Sequence, residues 1–126
     1  MNPITDRIRK GTVGELLVQI RLLEHDVQAA PPIKDSGNDL IAVRGEAFRA
    51  IQVKTVTGDR YSKVNLPQLF HVLAVVRLEG DEETLHLDKS QVFLVPHDRV
   101  DTASTAVAEL REFAMTPAHV DVLFPR

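Results

Sequence analysis

The chain has 126 residues, a formal net charge of −3 and no cysteine. The lack of cysteine excludes disulfides, thiolate zinc sites and cysteine nucleophiles, and the negative charge excludes a general electrostatic attraction to nucleic acid. The length favours one domain over residues 1–126, and because the N-terminus has no apolar signal region and no apolar run could span a membrane, we expect a cytoplasmic protein with no membrane partner.

The first predicted element is an amphipathic helix over residues 5–25. Its N-cap is either Thr5 or Thr12, and in the second case Glu15 would complete a capping box. The apolar stripe at helical spacing comprises Val13, Leu16, Leu17, Ile20 and Leu23.

Two glycines fall within the first turns of this helix. Gly11 and Gly14 would each cost about 1 kcal/mol in a helix interior relative to alanine. Paired glycines also remove two side chains from the helix surface, so they would allow the helix to approach a sheet closely.

A β-hairpin is predicted over residues 39–56. Both arms are rich in strand formers, and Gly45-Glu46 between them suits a two-residue type II′ turn. In the register that this turn sets, Asp39 lies opposite Gln52, and Lys54 points to the same side as Gln52. That face buries apolar residues near the turn and ends in a carboxylate, an amide and an ammonium group, which indicates either strands that emerge into water or a site.

The remaining elements follow from their apolar patterns and turn residues. We expect strands over residues 27–30, 70–78, 84–87 and 91–95, a mobile polar loop over residues 57–63, a helix over residues 102–115 and a last strand over residues 119–124. This order of elements favours an α+β fold, with helices packed on a sheet.

Four residues in this order resemble the PD-(D/E)XK nuclease superfamily: Glu15 on the first helix, Asp39 on one strand, and Gln52 and Lys54 on the next. The superfamily includes restriction enzymes, archaeal Holliday-junction resolvases and one class of intron homing endonuclease. The resemblance covers the first half of the chain. It implies an α/β/α restriction-endonuclease-like fold, in which a first helix packs over the polar face of the hairpin, on a central mixed sheet, and a second helix lies near the C-terminus. The phrases that carry the likeness are Gly-x-x-Gly-Glu at 11–15, Pro-Pro at 31–32, Asn-Asp-Leu-Ile at 38–41 and Ile-Gln-Val-Lys-Thr at 51–55.

The resemblance implies a role for each of the four residues. Asp39 matches the metal-binding aspartate, Gln52 stands where a second acidic ligand is usual, and Glu15 matches the first-helix glutamate. Lys54 matches the motif lysine, which would position the attacking water or donate to the phosphate. Mg²⁺, for which Mn²⁺ can substitute, prefers such oxygen ligands. The sequence departs from the pattern at Gln52 and at Asn38, which precedes the aspartate where proline is usual.

Charge is distributed unevenly along the chain. Residues 1–63 carry ten Lys or Arg against eight Asp or Glu, whereas residues 64–126 carry five against ten. The basic half is compatible with a polyanion that approaches one side of the protein, although a solvated surface explains it as well. The residues that would hold DNA phosphates are Arg7, Arg9, Lys10, Arg60 and Lys63.

We therefore expect a metal-dependent endonuclease that hydrolyses DNA phosphodiester bonds and works as a homodimer. The alternative is an inactive module of the same fold that binds DNA or a protein partner, since Gln52 removes one ligand charge. A domain that binds proteins through its acidic second half is a third hypothesis. Each residue also has a structural explanation: Asp39 and Gln52 as an exposed cross-strand pair, Glu15 as a cap and Lys54 as a solvated strand end.

Overall fold

A computed structural model of the chain describes residues 6–33, 37–81 and 84–126, apart from the side chain of Arg7. No helix in these residues is both long and apolar enough to cross a lipid bilayer. The described elements are helix α1 (Asp6–Leu23), strands β1 (Gln28–Ala30), β2 (Leu40–Arg44), β3 (Ala47–Val56), β4 (Val72–Arg77) and β5 (Gln91–Pro96), 3₁₀ turns at His97–Arg99, Val107–Glu109 and Arg111–Phe113, and helix α2 (Pro117–Leu123).

The five strands form one mixed sheet in the order β1-β2-β3-β4-β5. Strands β3 and β4 run parallel, and the other neighbours run antiparallel. The hairpin has the predicted register, with Arg44 opposite Ala47 and Leu40 opposite Ile51. Gly45 adopts a φ of +60°, which a residue without a Cβ enters at little cost. The α+β class, the mixed sheet, the N-terminal helix packed on it and the C-terminal helix are confirmed.

Helix α1 packs on the sheet through a stripe that differs from the predicted one. Leu17, Val18 and Leu22 are buried, so the prediction is correct at Leu17 and wrong at three other positions. Leucine and isoleucine occur on more than one side of this helix, and periodicity alone could not choose the side that meets the sheet. The wrongly assigned residues are Leu16, Ile20 and Leu23, which are 51%, 54% and 64% exposed.

The start of α1 removes one explanation for Glu15. The helix begins at Asp6, so Thr12 lies inside it and cannot cap its first-turn amides. The predicted capping box of Thr12 with Glu15 is therefore wrong. Thr5, the other candidate cap, lies outside the described residues.

Gly14 allows the close approach of α1 to the sheet that the paired glycines predicted. A Cβ at Gly14 would overlap the side chain of Thr55 on β3, whereas a Cβ at Gly11 would meet no atom within 4 Å. The prediction is therefore confirmed for Gly14 only. Because alternate residues of a strand point to opposite faces, Thr55 also shows which face of β3 carries the helix.

The polar face of the hairpin lies opposite α1. Thr55 points toward the helix, so Gln52 and Lys54 point away from it. The prediction that the first helix packs over the face of Gln52 is therefore wrong. Val43 and Phe48 share this polar face and are 41% and 53% exposed. The apolar end of the face is accordingly not buried as predicted.

Each face of the sheet has its own core. Helices α1 and α2 cover one face, where Leu17, Ile51 and Phe124 belong to a single buried cluster. The segments between β3 and β4 and after β5 cover part of the opposite face, where Tyr61 and Phe93 belong to a second cluster. The sheet is thus fixed from both sides along β4 and β5.

The predicted helix over residues 102–115 is wrong. The 3₁₀ turns Val107–Glu109 and Arg111–Phe113 take its place. Ala106 has an extended conformation and forms a β-bridge with Arg60, which prevents a continuous helix through this point. The residues that the segment buries lie three apart, which is the repeat of a 3₁₀ helix: Val107, Leu110 and Phe113.

The predicted last strand over residues 119–124 is also wrong, because helix α2 occupies these positions. The hydroxyl of Thr116 accepts from the His119 N–H at 3.1 Å, and Pro117 stands at the first helical position. A threonine cap followed by proline is a helix-start signal. That signal was present in the sequence and outweighs the short apolar pattern that follows it.

The middle of the chain agrees better with expectation. Strands β4 and β5 match their predicted positions, but residues 84–87 form only an isolated bridge between Gly80 and Leu85, so the strand predicted there is wrong. The loop over residues 57–63 is confirmed as a loop. Its predicted mobility is not supported, because Tyr61 is buried and its hydroxyl donates to Ser104 O at 2.8 Å.

Candidate functional site

The candidate site lies where β2 and β3 separate. The ladder between these strands ends at Ile51, whereas β3 continues to Val56. Beyond Ile51, β3 pairs with β4 alone, and no described strand pairs with its other edge. Backbone groups along this open edge are therefore available to side chains or to water rather than to a neighbouring strand.

Asp39 stands at the point of separation and is oriented by the backbone of β3. Its N–H donates to Ile51 O at 3.1 Å, and its Oδ2 accepts from the Val53 N–H at 2.8 Å. The carboxylate thus replaces a backbone carbonyl of β2 as the hydrogen-bond acceptor beyond the last paired residue. A carboxylate has about four lone-pair sites, so one such bond leaves capacity for a cation.

Gln52 presents an orphaned acceptor in this region. Its Oε1 is buried and has no hydrogen-bond partner among the described residues. Leaving such a group unpaired costs about 1–3 kcal/mol. A cation beside Gln52 would satisfy this oxygen.

Lys54 follows Gln52 on the same face of β3, and its ammonium group is already held. The Nζ atom donates to Val64 O at 3.0 Å. An ammonium group has three N–H donors. Two of them therefore remain for a phosphate or a water molecule.

Glu15 reaches the open edge from α1, although that helix packs on the opposite face of the sheet. The contact of Gly14 with Thr55 holds this part of the helix against β3. Burial raises the pKa of the Glu15 carboxyl, and the negative charge of Asp39 raises it further. The two carboxylates are thus close enough to repel each other.

These side chains line one open cleft with a volume of about 630 Å³. Glu15, Asp39, Gln52 and Lys54 all line it, so the structure brings together every residue predicted for catalysis or metal binding. The cleft is also lined by two of the cations predicted to hold phosphates, Lys10 and Arg60.

Two of the other predicted phosphate-binding residues, Arg9 and Lys63, do not line the cleft. Lys63 Nζ donates to Ala103 O at 2.5 Å, which commits it to another part of the protein. Arg9 pairs with Asp6 at 3.0 Å, and both side chains are 48% exposed. The side chain of Arg7 lies outside the described part of the chain.

The sequence interpretation missed one residue of the cleft, Asp6, and one contact beside it. Asp6 lines the cleft and pairs with Lys10 at 2.9 Å, and the hydrogen bond from Lys10 holds the pKa of Asp6 below its usual value. Their spacing of four residues on a helix was a readable signal. Asn38 Nδ2 donates to Leu69 O at 3.0 Å, a contact between distant segments for which the sequence offers no signal.

The oxygen atoms of the cleft fit a hard divalent cation. Mg²⁺ commonly takes one or two carboxylates and completes its shell with other oxygens. Glu15 and Asp39 would provide the carboxylates, and Gln52 would provide the orphaned amide oxygen. No group of three or more His, Cys, Asp or Glu that could hold a metal occurs among the described residues; here the third oxygen belongs to an amide. A cation would also offset both causes of the raised pKa of Glu15, the burial of its carboxyl and the negative charge of Asp39.

Comparison with solved structures finds a similar fold in a bacterial homing endonuclease, I-Ssp6803I. The two structures agree with a TM-score of 0.55 at 16% sequence identity, over 80% of this chain and 72% of that chain. Similarity at this identity establishes the fold alone. No protein-family profile matches this chain, and no curated protein sequence does.

Proposed function

We propose that this chain is a Mg²⁺-dependent endonuclease of the PD-(D/E)XK type that hydrolyses DNA phosphodiester bonds. The observation that carries the proposal is the single cleft in which Glu15, Asp39, Gln52 and Lys54 meet. The fold that the chain shares with a homing endonuclease supports the same conclusion.

Three side chains would hold the ion, and Mn²⁺ could replace Mg²⁺ on them. They are the carboxylates of Glu15 and Asp39 and the amide oxygen of Gln52. When bound, the ion supplies positive charge that neutralises the charge developing on the scissile phosphate. Asp39 is oriented in advance by the Val53 N–H, so this ligand needs little reorganisation.

The cations of the cleft would act on the phosphate backbone. Lys54 would donate its two remaining N–H groups to a phosphate oxygen or to the attacking water. Lys10 and Arg60 line the same cleft and would attract the DNA backbone without reading its sequence. We further expect a homodimer, since each chain would cut one strand of a duplex.

The first experiment measures metal binding and cleavage in the same variants. Mn²⁺ is titrated calorimetrically into wild type and Asp39→Ala, and both are assayed on duplex, branched and single-stranded DNA. Wild type should bind Mn²⁺ and cut. In Asp39→Ala, Mn²⁺ affinity and the cleavage rate should each fall by more than about 100-fold, because loss of an outer-shell partner alone already costs about 10- to 100-fold. Asp101→Ala, which removes an exposed carboxylate outside the cleft, is the control.

A second variant tests the lysine. Lys54→Ala should abolish Mg²⁺-dependent cleavage while the fold and Mn²⁺ binding remain, because Lys54 is not among the proposed metal ligands. Lys89→Ala, at an exposed position away from the cleft, should cut like wild type. Unchanged cleavage by Lys54→Ala would contradict the assignment.

A catalytically inactive module of the same fold is the second candidate. The specific observation in its favour is Gln52, which provides one negative charge fewer than an acidic ligand would. Such a module would bind DNA or a protein partner but neither Mg²⁺ nor Mn²⁺, and Asp39→Ala would leave that binding unchanged. Calorimetry with and without DNA therefore separates the two candidates.

A further inference from the structure

We propose that the turn over residues 62–65 positions the ammonium group of Lys54, with Ser62 and Asn65 as positioning residues. The inference deepens the proposed function and rests on it, because it assigns a task to Lys54 in that reaction. Its starting point is the hydrogen bond from Lys54 Nζ to Val64 O, at 3.0 Å.

A lysine side chain needs an external partner to hold its charge in one place. The ammonium group ends a flexible four-carbon stem, whereas the guanidinium of arginine is rigid and planar. In this structure the partner is a backbone carbonyl, that of Val64, and it takes one of the three donors of the ammonium group. Moving this carbonyl would therefore move the ammonium group relative to the cleft.

Two local features orient the peptide groups of Val64. The Val64 N–H donates to Ser62 Oγ at 3.1 Å, which closes the turn on its N-terminal side. Asn65, on the other side, has a φ of +63°. Among residues with a side chain, asparagine and aspartate enter this left-handed region most readily, and β-branched residues are strongly disfavoured there. The direction of the Val64 carbonyl thus depends on residues 62 and 65.

The turn is also fastened to the rest of the protein on both sides. Before it, the Tyr61 N–H donates to Thr105 O at 3.1 Å, and the Tyr61 side chain is buried. After it, Leu66 packs against the second core. A turn anchored in this way can hold Lys54 in a fixed position, which a loose surface loop could not do.

The test compares two substitutions at the same position. Asn65→Gly keeps a residue that adopts positive φ easily, whereas Asn65→Val makes that conformation unfavourable. We measure kcat, KM, Mn²⁺ affinity and the Lys54 Cε resonance by NMR. Asn65→Val should shift the Lys54 resonance and lower kcat by about 10- to 100-fold, since misplacement by about 1 Å can have such an effect. KM and Mn²⁺ affinity should stay unchanged, and Asn65→Gly should resemble wild type in every measurement.

Ser62→Ala provides a second route to the same conclusion. It removes one exposed hydroxyl and the hydrogen bond to the Val64 N–H, so it tests the turn even if Asn65→Val does not fold. We expect a shifted Lys54 resonance and a smaller fall in kcat. Thr102→Ala, which removes an exposed hydroxyl outside both the turn and the cleft, serves as the control.

The outcomes separate this inference from the proposed function. A folded Asn65→Val or Ser62→Ala variant with wild-type kcat and an unmoved Lys54 resonance overturns the inference. An Asn65→Gly variant whose kcat falls as much as that of Asn65→Val also overturns it. Wild type that neither binds metal nor cuts DNA refutes the proposed function instead. The Lys54 resonance would still test whether the turn holds the ammonium group.

Discussion

The two halves of strand β3 have opposite characters. From Ala47 to Ile51 the strand pairs with β2, and Ile51 is fully buried between its neighbours. From Gln52 to Val56 it pairs only with β4 on one side, and its side chains alternate between the α1 face and the cleft. The first half contributes to the core, and the second half carries the candidate site.

The difference shows how a regular sheet can supply a polar site without a separate loop. Where β2 turns away at Asp39, the Val53 N–H loses its strand partner, and the carboxylate of Asp39 accepts from it instead. The same divergence opens the space in which Gln52, Lys54 and Glu15 meet. The rigid paired half thereby positions the functional groups of the open half.

The largest expected effect is on the free energy of unfolding, and it should differ between two neighbouring residues, one from each half of β3. Ile51→Ala should lower the free energy of unfolding by about 2–5 kcal/mol, since it leaves a cavity in the core, and should leave Mn²⁺ binding intact. Gln52→Ala should not lower the free energy of unfolding comparably, because it removes a buried acceptor that has no partner, but it should weaken Mn²⁺ binding. Urea denaturation and calorimetry measure the two effects, and equal losses of stability would remove the distinction between the halves.

The next largest effect is on stability and concerns helix α1, which brings Glu15 to the open half of β3. Gly14→Ala should destabilise the protein by about 1–3 kcal/mol, because the added methyl group overlaps Thr55 and overpacking has this magnitude. Gly11→Ala should stabilise it by about 1 kcal/mol, because alanine is the better helix former and the space beside Gly11 is open. Thermal or urea unfolding of both variants measures these effects. Stability changes of the same sign would contradict the contact of Gly14 with Thr55.

A third variant tests whether residue 52, in the open half of β3, binds the metal. Gln52→Glu adds a negative ligand charge, and ligand charge is one factor that sets cation affinity. We expect Mn²⁺ to bind about tenfold more tightly, which corresponds to about 1.4 kcal/mol. The metal-free variant should lose stability, because three carboxylates would then repel one another. Calorimetric titration in parallel with wild type measures the gain, and an unchanged dissociation constant would place Gln52 outside the metal shell.

The smallest effect is a dependence on pH. The pKa of Glu15 in the folded protein is raised above its ordinary value of 4.5, so its ionised form destabilises the metal-free fold. This destabilisation is complete above the raised pKa and disappears as the pH falls from there toward 4.5. Glu15→Gln should therefore be more stable than wild type at pH 7 without metal, and its advantage should shrink on acidification.

Saturating Mg²⁺ should reverse the order at pH 7, because ligand binding stabilises wild type and the variant lacks a ligand. Melting temperatures with and without Mg²⁺ measure both effects. Glu109→Gln, at an exposed position outside the cleft, is the control. An advantage of Glu15→Gln that persists at low pH would contradict the raised pKa of the Glu15 carboxyl.

Local rules were sufficient for the hairpin and for three of the four central residues of the site. A two-residue turn at Gly45-Glu46 sets the register, and the alternation of side chains then places Asp39 beside Gln52 and Lys54. These relations extend over only a few residues on each side of the turn. They could therefore be predicted before any tertiary contact was known.

The segments that were predicted wrongly are those whose patterns admit two structures. Residues three apart suit a 3₁₀ turn as well as an α-helix, and the bridge between Ala106 and Arg60 decides the outcome. Helix α1 has apolar residues on several sides, and the contact of Gly14 with Thr55 selects the side that is buried. Both decisions come from partners distant in the sequence.

Turn geometry and strand alternation act over short distances, so the sequence was sufficient to predict the hairpin, its register and the common face of Asp39, Gln52 and Lys54. Tertiary structure alone decided that Glu15 reaches the cleft from the opposite face, that Lys63 lies outside it and that Val64 holds Lys54. Those arrangements depend on how separate segments pack, and packing joins residues that no local pattern connects.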